Sequence, residues 1–543
     1  MSRRDFQKAL SSVRPNLIDR VVSAFDPVAG AKRYQARCQI AVVSAMTGGY
    51  TGARRDRRQT KGMFGRDLSA DAALIPDLET ARARSHELFR NAPLARGAVK
   101  TVRTSALGEG LALKAAVDSS YVRATEQAVN EFEDQAERLW SQHARARHID
   151  IRAEQTIDSL AATVLLSVLL DGDALVVRRF DDASPQKVLG LALQLVDTAR
   201  LLNPVGIRDG QTFDNGNTVT GGIERDSNGK AVAYHIAKRH PGDFQPGVRA
   251  TVRYQAFSPS GERLIWHIYE SERSEQGRGV PYLTPVIEPL KQLDKYTEAE
   301  VMAAVVSSLF TVFVKSPSGQ GLAPADPVAD APDSTGEFKL GAGAMINLGQ
   351  GEDVTFANPN RPNTAFDPFV MAVLRQIGVA LELPFEILIK HFTASYSASR
   401  AAMIEAWRFF KMVRGFMARE FYQAAYEAMI GEAVARGLLA APGFFSDPLA
   451  RAAWCGATWT GPSMGQLNPL QETSALVAQV DNNLQTRSAA TAALGNGDFE
   501  RNARRLGREQ TMLADASVAV NPKDKAASQQ PVLPDPDDDD LTN

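Results

Sequence analysis

The sequence predicts an α+β chain, mainly α, in which two long helices bracket a β-rich insert. Three observations lead there. Apolar residues recur three and four apart from about residue 75 to 170 and again after 285, which is the helical period. Between them, residues 174–270 switch to short alternating runs broken at Asn228-Gly229 and at Ser258-Pro259-Ser260-Gly261, a hairpin signal and a turn signal. The length of 543 residues, with 44% hydrophobic and 23% charged side chains, exceeds what one core usually supports and suits two to four subdomains.

In chain order, residues 1–66 form a basic arm with helical pieces, carrying fourteen Lys and Arg against four Asp, a net +10. Amphipathic helices follow from Ile75 to about Trp140, with one short strand in "GEGLALKAAV". In "IDIRAEQTIDSLAATVLLSVLLDGD", Ile157, Leu160, Val164 and Val168 make a stripe. Leu165, Leu166, Leu169 and Leu170 widen it until the helix must be buried on several sides, and Gly172 is a fitting stop. After the β-rich insert, Val286, Leu290, Leu293 and Tyr296 mark a helix over about 285–309. A Pro/Gly/Asp loop at 317–336, strands near "EFKLGAGAMINL" and "EDVTFA", a helix at 366–382 and a long helix from about Ser399 to Arg436 come next. Helices resume from "NPLQETSALVAQVDNNLQ" to about Met512. Residues 521–543, net −4 and ending "PVLPDPDDDDLTN", read as disordered by composition.

Several function classes fall away. Cys38 and Cys455 stand far apart without Cys or His at ligand spacing, so neither a disulfide framework nor a zinc site is expected, and no metal or cofactor is predicted. The longest uncharged apolar run, Val301 to Val314, falls short of the ~20 residues that span a bilayer, and the first residues lack a signal-peptide core. The reading is a soluble, non-secreted protein with no membrane partner. "GPSMG" at 461–465 matches a nucleophile elbow on Ser463, but every histidine precedes it, Pro462 suits a turn, and a serine hydrolase is the weaker alternative. Neither a Walker A loop nor a G-x-G-x-x-G opening a helix is present, which disfavours a nucleotide-driven packaging enzyme.

One stretch, "ELPFEILIKHFTASYSASRAAMIEAWRFF", gathers Lys390, His391, Thr393, Tyr396, Ser397 and Arg400 between apolar segments, with no orienting acid for catalysis. It is either a helix-to-helix connection or a loop whose cationic, hydroxyl and aromatic groups meet a polyanion. The run Arg54, Arg55, Arg57, Arg58 and Lys61 is either a subunit-bridging arm or a phosphate contact.

The blocks "GGYTGARRDRRQTKGMFGRDLSADAALIPDLETARARSHELFRNAPLARGAV", "RGVPYLTPVIEPLKQLDKYTEAEVMAAVVSSLFTVFVKS" and "FDPFVMAVLRQIGVALELPFEILIKHFTASYSASRAAMIEAWRFF", collinear over roughly residues 45–515, resemble the lambda-type portal proteins of tailed bacteriophages. The resemblance implies a dodecameric ring at one capsid vertex, built from wing, two-helix stem, clip, tunnel loop and crown. It implies a channel for double-stranded DNA, bound without sequence preference, during packaging and ejection. The terminase large subunit, capsid or scaffold proteins and a head-tail connector are the implied partners, in the virion and, during assembly, in the host cytoplasm. Carried onto this chain, it implies an arm at 1–66, wing at 67–148 and 311–466, stem helices at 149–173 and 281–310, and a clip at 174–280. A tunnel loop near 390–399, a crown at 467–515 and an acidic tail at 516–543 complete the plan. Under it no catalytic residue is expected; a non-channel head-tail adaptor is the alternative.

Overall fold

The computed structural model describes residues 17–46, 62–63, 65–182, 187–244, 250–308, 312–315, 353–356, 366–392, 395–465, 468–495 and 497–515. The chain divides into two compact units between Leu68 and Ser69. In the first, α1 (Leu17–Phe25) and α2 (Pro27–Met46) are joined at Asp26. Its carboxylate accepts the amides of Val28 and Ala29 at 2.9 and 3.1 Å, satisfying donors that a helix start leaves open.

The second unit begins with α3 (Ala70–Asn91), capped by Ser69, and α4 (Pro93–Leu107), with Pro93 in its first turn where no amide donor is missed. Strand β1 (Ala112–Ala115), α5 (Ser119–Val122), α6 (Glu126–His143) and α7 (Ile157–Asp171) follow. Next come β2 (Asp173–Phe180), β3 (Leu191–Val196), β4 (Gln211–Thr212), β5 (Thr218–Thr220), β6 (Ile223–Arg225), β7 (Ala231–Ala237), β8 (Thr251–Gln255) and β9 (Ile265–Tyr269). They make two antiparallel sheets, β3-β2-β9 and the meander β4-β5-β6-β7-β8. The Asn228-Gly229 signal becomes the turn between β6 and β7, with Gly229 at φ 81°.

Strand β2 is buried on both faces because its alternation serves two cores. Ala174 and Val176 enter the main core, whereas Leu175 and Val177 meet Ile223, Tyr234 and Ile236 in a smaller one between the sheets. The β-rich insert is therefore joined to the body through shared core side chains.

In α7, only Ser159, in its first turn, is exposed, and Leu160, Ala161, Val164, Leu165 and Leu169 lie in the main core with α3, α4 and β2. The helix that the sequence assigned to a stem at 149–173 thus packs largely within its own subunit, with Ala162, Thr163, Leu166 and Ser167 half-buried. At its end, Gly172 turns the chain at φ 90°, and a Cβ there would stand 2.4 Å from the Gly279 carbonyl oxygen. Gly172→Ala adds a steric clash to a left-handed backbone and is expected to cost at least about 2 kcal/mol, read as a lowered chemical-denaturation midpoint.

Helix α8 (Ile287–Ser308) finds a different partner. The antiparallel pair β10 (Val312–Lys315) and β11 (Asp353–Phe356) follows it, and then α9 (Phe366–Ala380) returns against it. Tyr296 stacks on Phe366 at 5.5 Å and meets Phe369 edge-on at 4.9 Å. The Tyr282 hydroxyl donates to the Leu381 carbonyl, tying the base of α8 to the end of α9.

The chain continues through α10 (Phe385–Ile389) and α11 (Tyr396–Met417), which passes through a π-helical turn at Ala418–Tyr422 into α12 (Gln423–Ala435). Next, α13 (Pro448–Trp454) leads to β12 (Ala457–Thr460), which pairs antiparallel with β1 far back in the sequence. Last come α14 (Pro469–Asp481), α15 (Arg487–Ala493) and α16 (Phe499–Asp515). Gly461–Gly465 lies in irregular chain between β12 and α14, where no strand runs directly into a helix. Ser463 therefore lacks the sharp strand-to-helix turn that a nucleophile elbow requires.

Candidate functional site

The sequence around Lys390 folds as a short raised turn for local reasons. Gly378 lets the chain fold back closely, a Cβ there standing 2.6 Å from the Leu383 carbonyl oxygen. Pro384, with its fixed φ, then starts α10. Lys390 ends that helix in the left-handed conformation, φ 56°, and the His391 amide returns to the Glu386 carbonyl at 3.1 Å. Ser395 starts α11, its hydroxyl accepting the Ala398 amide at 3.4 Å.

The candidate residues separate. Lys390, His391 and Ser397 are exposed on this turn and on the first turn of α11, and Phe392 beside them is 50% exposed. Arg400 faces elsewhere, its guanidinium 2.7 Å from Glu472 on α14, so its charge braces α11 against α14. Thr393 and the side chain of Tyr396 lie outside the described residues, as do Arg54, Arg55, Arg57, Arg58, Lys61 and the acidic segment after Asp515.

A groove of ≈ 500 Å³ passes under this turn, between α4 and α11, with Lys100 and Lys390 along it. Sequence reasoning missed Lys100 and the groove's Trp407. Each is one residue on an amphipathic helix, and only packing α4 against α11 sets them opposite each other.

A second polar cluster sits between the sheets. Arg278 forks onto the buried carboxylate of Asp173 and gives its remaining donors to the carbonyls of Gly221 and Thr198 at 2.9 and 3.2 Å. His267 adds an Nε2 contact to Asp173 at 2.9 Å. Burial pushes the Asp173 carboxyl up, but Arg278 and the His267 hydrogen bond outweigh it and hold it well below the usual carboxylate range. Burial also pushes the His267 imidazole down, so the ring is neutral and donates to Asp173. Arg278 spends its donors on the Asp173 carboxylate and on backbone carbonyls, which makes the pair a clasp between sheets. Among the described residues no group of His, Cys, Asp and Glu is arranged to hold a metal, and no helix is long and apolar enough to cross a membrane.

The family model described as phage portal protein, lambda family, matches residues 56–414. The portal protein of Escherichia phage N15 is 24% identical over 462 residues, covering 81% of this chain and 85% of that one. Portal protein B of Escherichia phage lambda is 22% identical, covering 79% and 83%. Among solved structures, a chain in the virion of a native gene transfer agent particle aligns with a TM-score of 0.43 and 14% identity, over 78% of this chain and 94% of that one. With the match running unbroken from the basic arm through the β-rich region, α8, α9 and the Lys390 turn, the chain belongs to the lambda family of phage portal proteins.

Proposed function

We propose that copies of this portal protein form a ring at one capsid vertex, a dodecamer by family resemblance, through which double-stranded DNA is packaged and ejected. The observation that carries this reading is the α8–α9 pair. Val301 and Met302 on α8 are 59% and 60% exposed, and Phe369 on α9 is 50% exposed, although both helices are rooted in the main core. An apolar surface on a braced pair of rods calls for burial against an identical neighbour. These rods, α8 with α9, take the stem role that the sequence assigned to residues 149–173 and 281–310. The segment between them, residues 309–365, takes the clip role.

Ring geometry supports the reading. Twelve helices about 10 Å apart enclose a circle about 38 Å across at their axes. Removing about 5 Å of helix radius on each side leaves roughly 28 Å, enough for a hydrated duplex about 20 Å wide. A translocating channel works through weak, repeated backbone contacts, which carry no sequence information.

In this proposal Lys390, His391, Thr393, Tyr396 and Ser397 brush DNA phosphates, and Arg400 supports them through its brace to α14. The clip meets the terminase large subunit first and a head-tail connector later, while the wing meets capsid or scaffold protein. Assembly takes place in the host cytoplasm, and the finished ring resides in the virion. The double substitution Lys390→Ala with His391→Ala is expected to leave ring formation intact and to lower the yield of full-length packaged DNA at least several-fold. Wild-type packaging and retention in that variant would remove the loop from the DNA path.

A further inference from the structure

The groove under the Lys390 turn has a floor that duplex DNA does not explain. Met403, Trp407, Phe410 and Met464, two thioethers and two aromatic rings, form an apolar surface within its ≈ 500 Å³. Lys100 and Lys390 stand exposed over it, and neither has a carboxylate partner among the described residues. The neighbouring cation is already committed: Arg414 lies 5.0 Å from the Trp407 ring centroid and donates to the carbonyls of Ala106 and Pro462 at 3.0 and 2.8 Å.

Two ammonium groups without a carboxylate partner among the described residues, set over this floor, suit a ligand that is both acidic and apolar. A sugar-phosphate backbone offers the charge but has no side chain to fill the floor. The chain itself carries a segment with both properties, since Val532, Leu533 and Leu541 flank Asp535 and Asp537–Asp540. The described chain ends at Asp515, and the residues from there to Val532 can span up to about 55 Å, comparable with the width of a domain. Tethering also raises the local concentration to about the millimolar range, so a modest intrinsic affinity fills the site.

We propose that the segment Val532–Leu541 of this chain docks in the groove, with Leu533 on the apolar floor and its aspartates against Lys100 and Lys390. Seated there, it neutralises both lysines, and DNA phosphates displace it to reach Lys390. This differs from the DNA reading of Lys390 and stands or falls separately from it.

Zero-length carbodiimide cross-linking of the full chain, followed by peptide mass spectrometry, tests the contact. Lys114 and Glu500, 2.9 Å apart, provide the internal control link. The expected result is an amide link from Lys100 or Lys390 to an aspartate within 535–540. Leu533→Asp should lower that link at least about tenfold, the contribution of one buried leucine, while leaving the control link unchanged. Mixing isotope-labelled and unlabelled chains separates docking within one subunit from docking onto a neighbour, and either supports the proposal. A control link without any link to 535–540 overturns it. A link undiminished by Leu533→Asp also overturns it, because the aspartates would then be meeting the lysines without the groove.

Discussion

Val301→Asp combined with Met302→Asp should yield a folded chain that no longer assembles into rings. Both side chains are exposed in the single subunit, so the body loses little on their replacement, and its far-UV circular dichroism spectrum should match the wild type's. In the ring each would be buried against a neighbouring rod, which contributes about 1.5–3 kcal/mol per side chain. Losing both weakens every subunit contact by about 3–6 kcal/mol, more than a hundredfold, before the cost of desolvating two carboxylates is added. Mass photometry of wild type and variant reads this directly. A variant that forms rings as wild type does would place the subunit contact elsewhere than α8. The paired surface on α9, where Phe369 is exposed, provides a second position for the same substitution.

Arg278→Ala should produce the largest loss of stability of any substitution discussed. It strips Asp173, which is fully buried, of its bidentate partner and leaves the carbonyls of Gly221 and Thr198 without their donor. Breaking such a pair from one side costs about 3–5 kcal/mol, because the remaining charge stays buried. The loss should concentrate in the two sheets and appear as faster amide exchange across β2, β7 and β9.

The pH dependence of that loss has a definite sign. In the wild type both Asp173 and His267 have depressed folded values. Depressed values give stability that is present above the unfolded pKa and lost on acidification, for His267 below about pH 6.5 and for Asp173 only in strong acid. The Arg278 charge contributes to holding His267 down. Without it, the His267 imidazole is less depressed, so the variant loses less stability on acidification than the wild type does. The cost of Arg278→Ala should therefore be smaller at pH 5 than at pH 8, and a cost that grows on acidification would contradict the clasp.

Much of the local architecture was legible because it is encoded by neighbours in sequence. The helix expected over 285–309 runs Ile287–Ser308, and the one expected over 366–382 runs Phe366–Ala380. The Asn228-Gly229 pair sits in its turn for the reason anticipated, a backbone that favours glycine. The apolar circumference of α7 correctly signalled burial on several sides. What sequence reasoning could not supply was who packs on whom. Pairing α8 with α9 rests on Tyr296 meeting Phe366 and Phe369, contacts across about seventy residues with no pattern of their own. The Arg400–Glu472 brace, the register of β1 on β12, and the Asp173–Arg278 clasp are likewise non-local. In the candidate loop, residue types were readable as cationic and polar. Which of them reach outward depended on a left-handed residue at Lys390 and a partner for Arg400.

The central claim is that α8 and α9 of successive copies pack side by side around an open axis. Cryo-electron microscopy of the protein purified from cells assembling capsids tests it most directly. The account predicts a closed ring with a central opening of more than 20 Å, α8 and α9 forming its narrow wall and α7 enclosed within each subunit. A solid or open assembly, or a ring whose wall is made by α7, would contradict it.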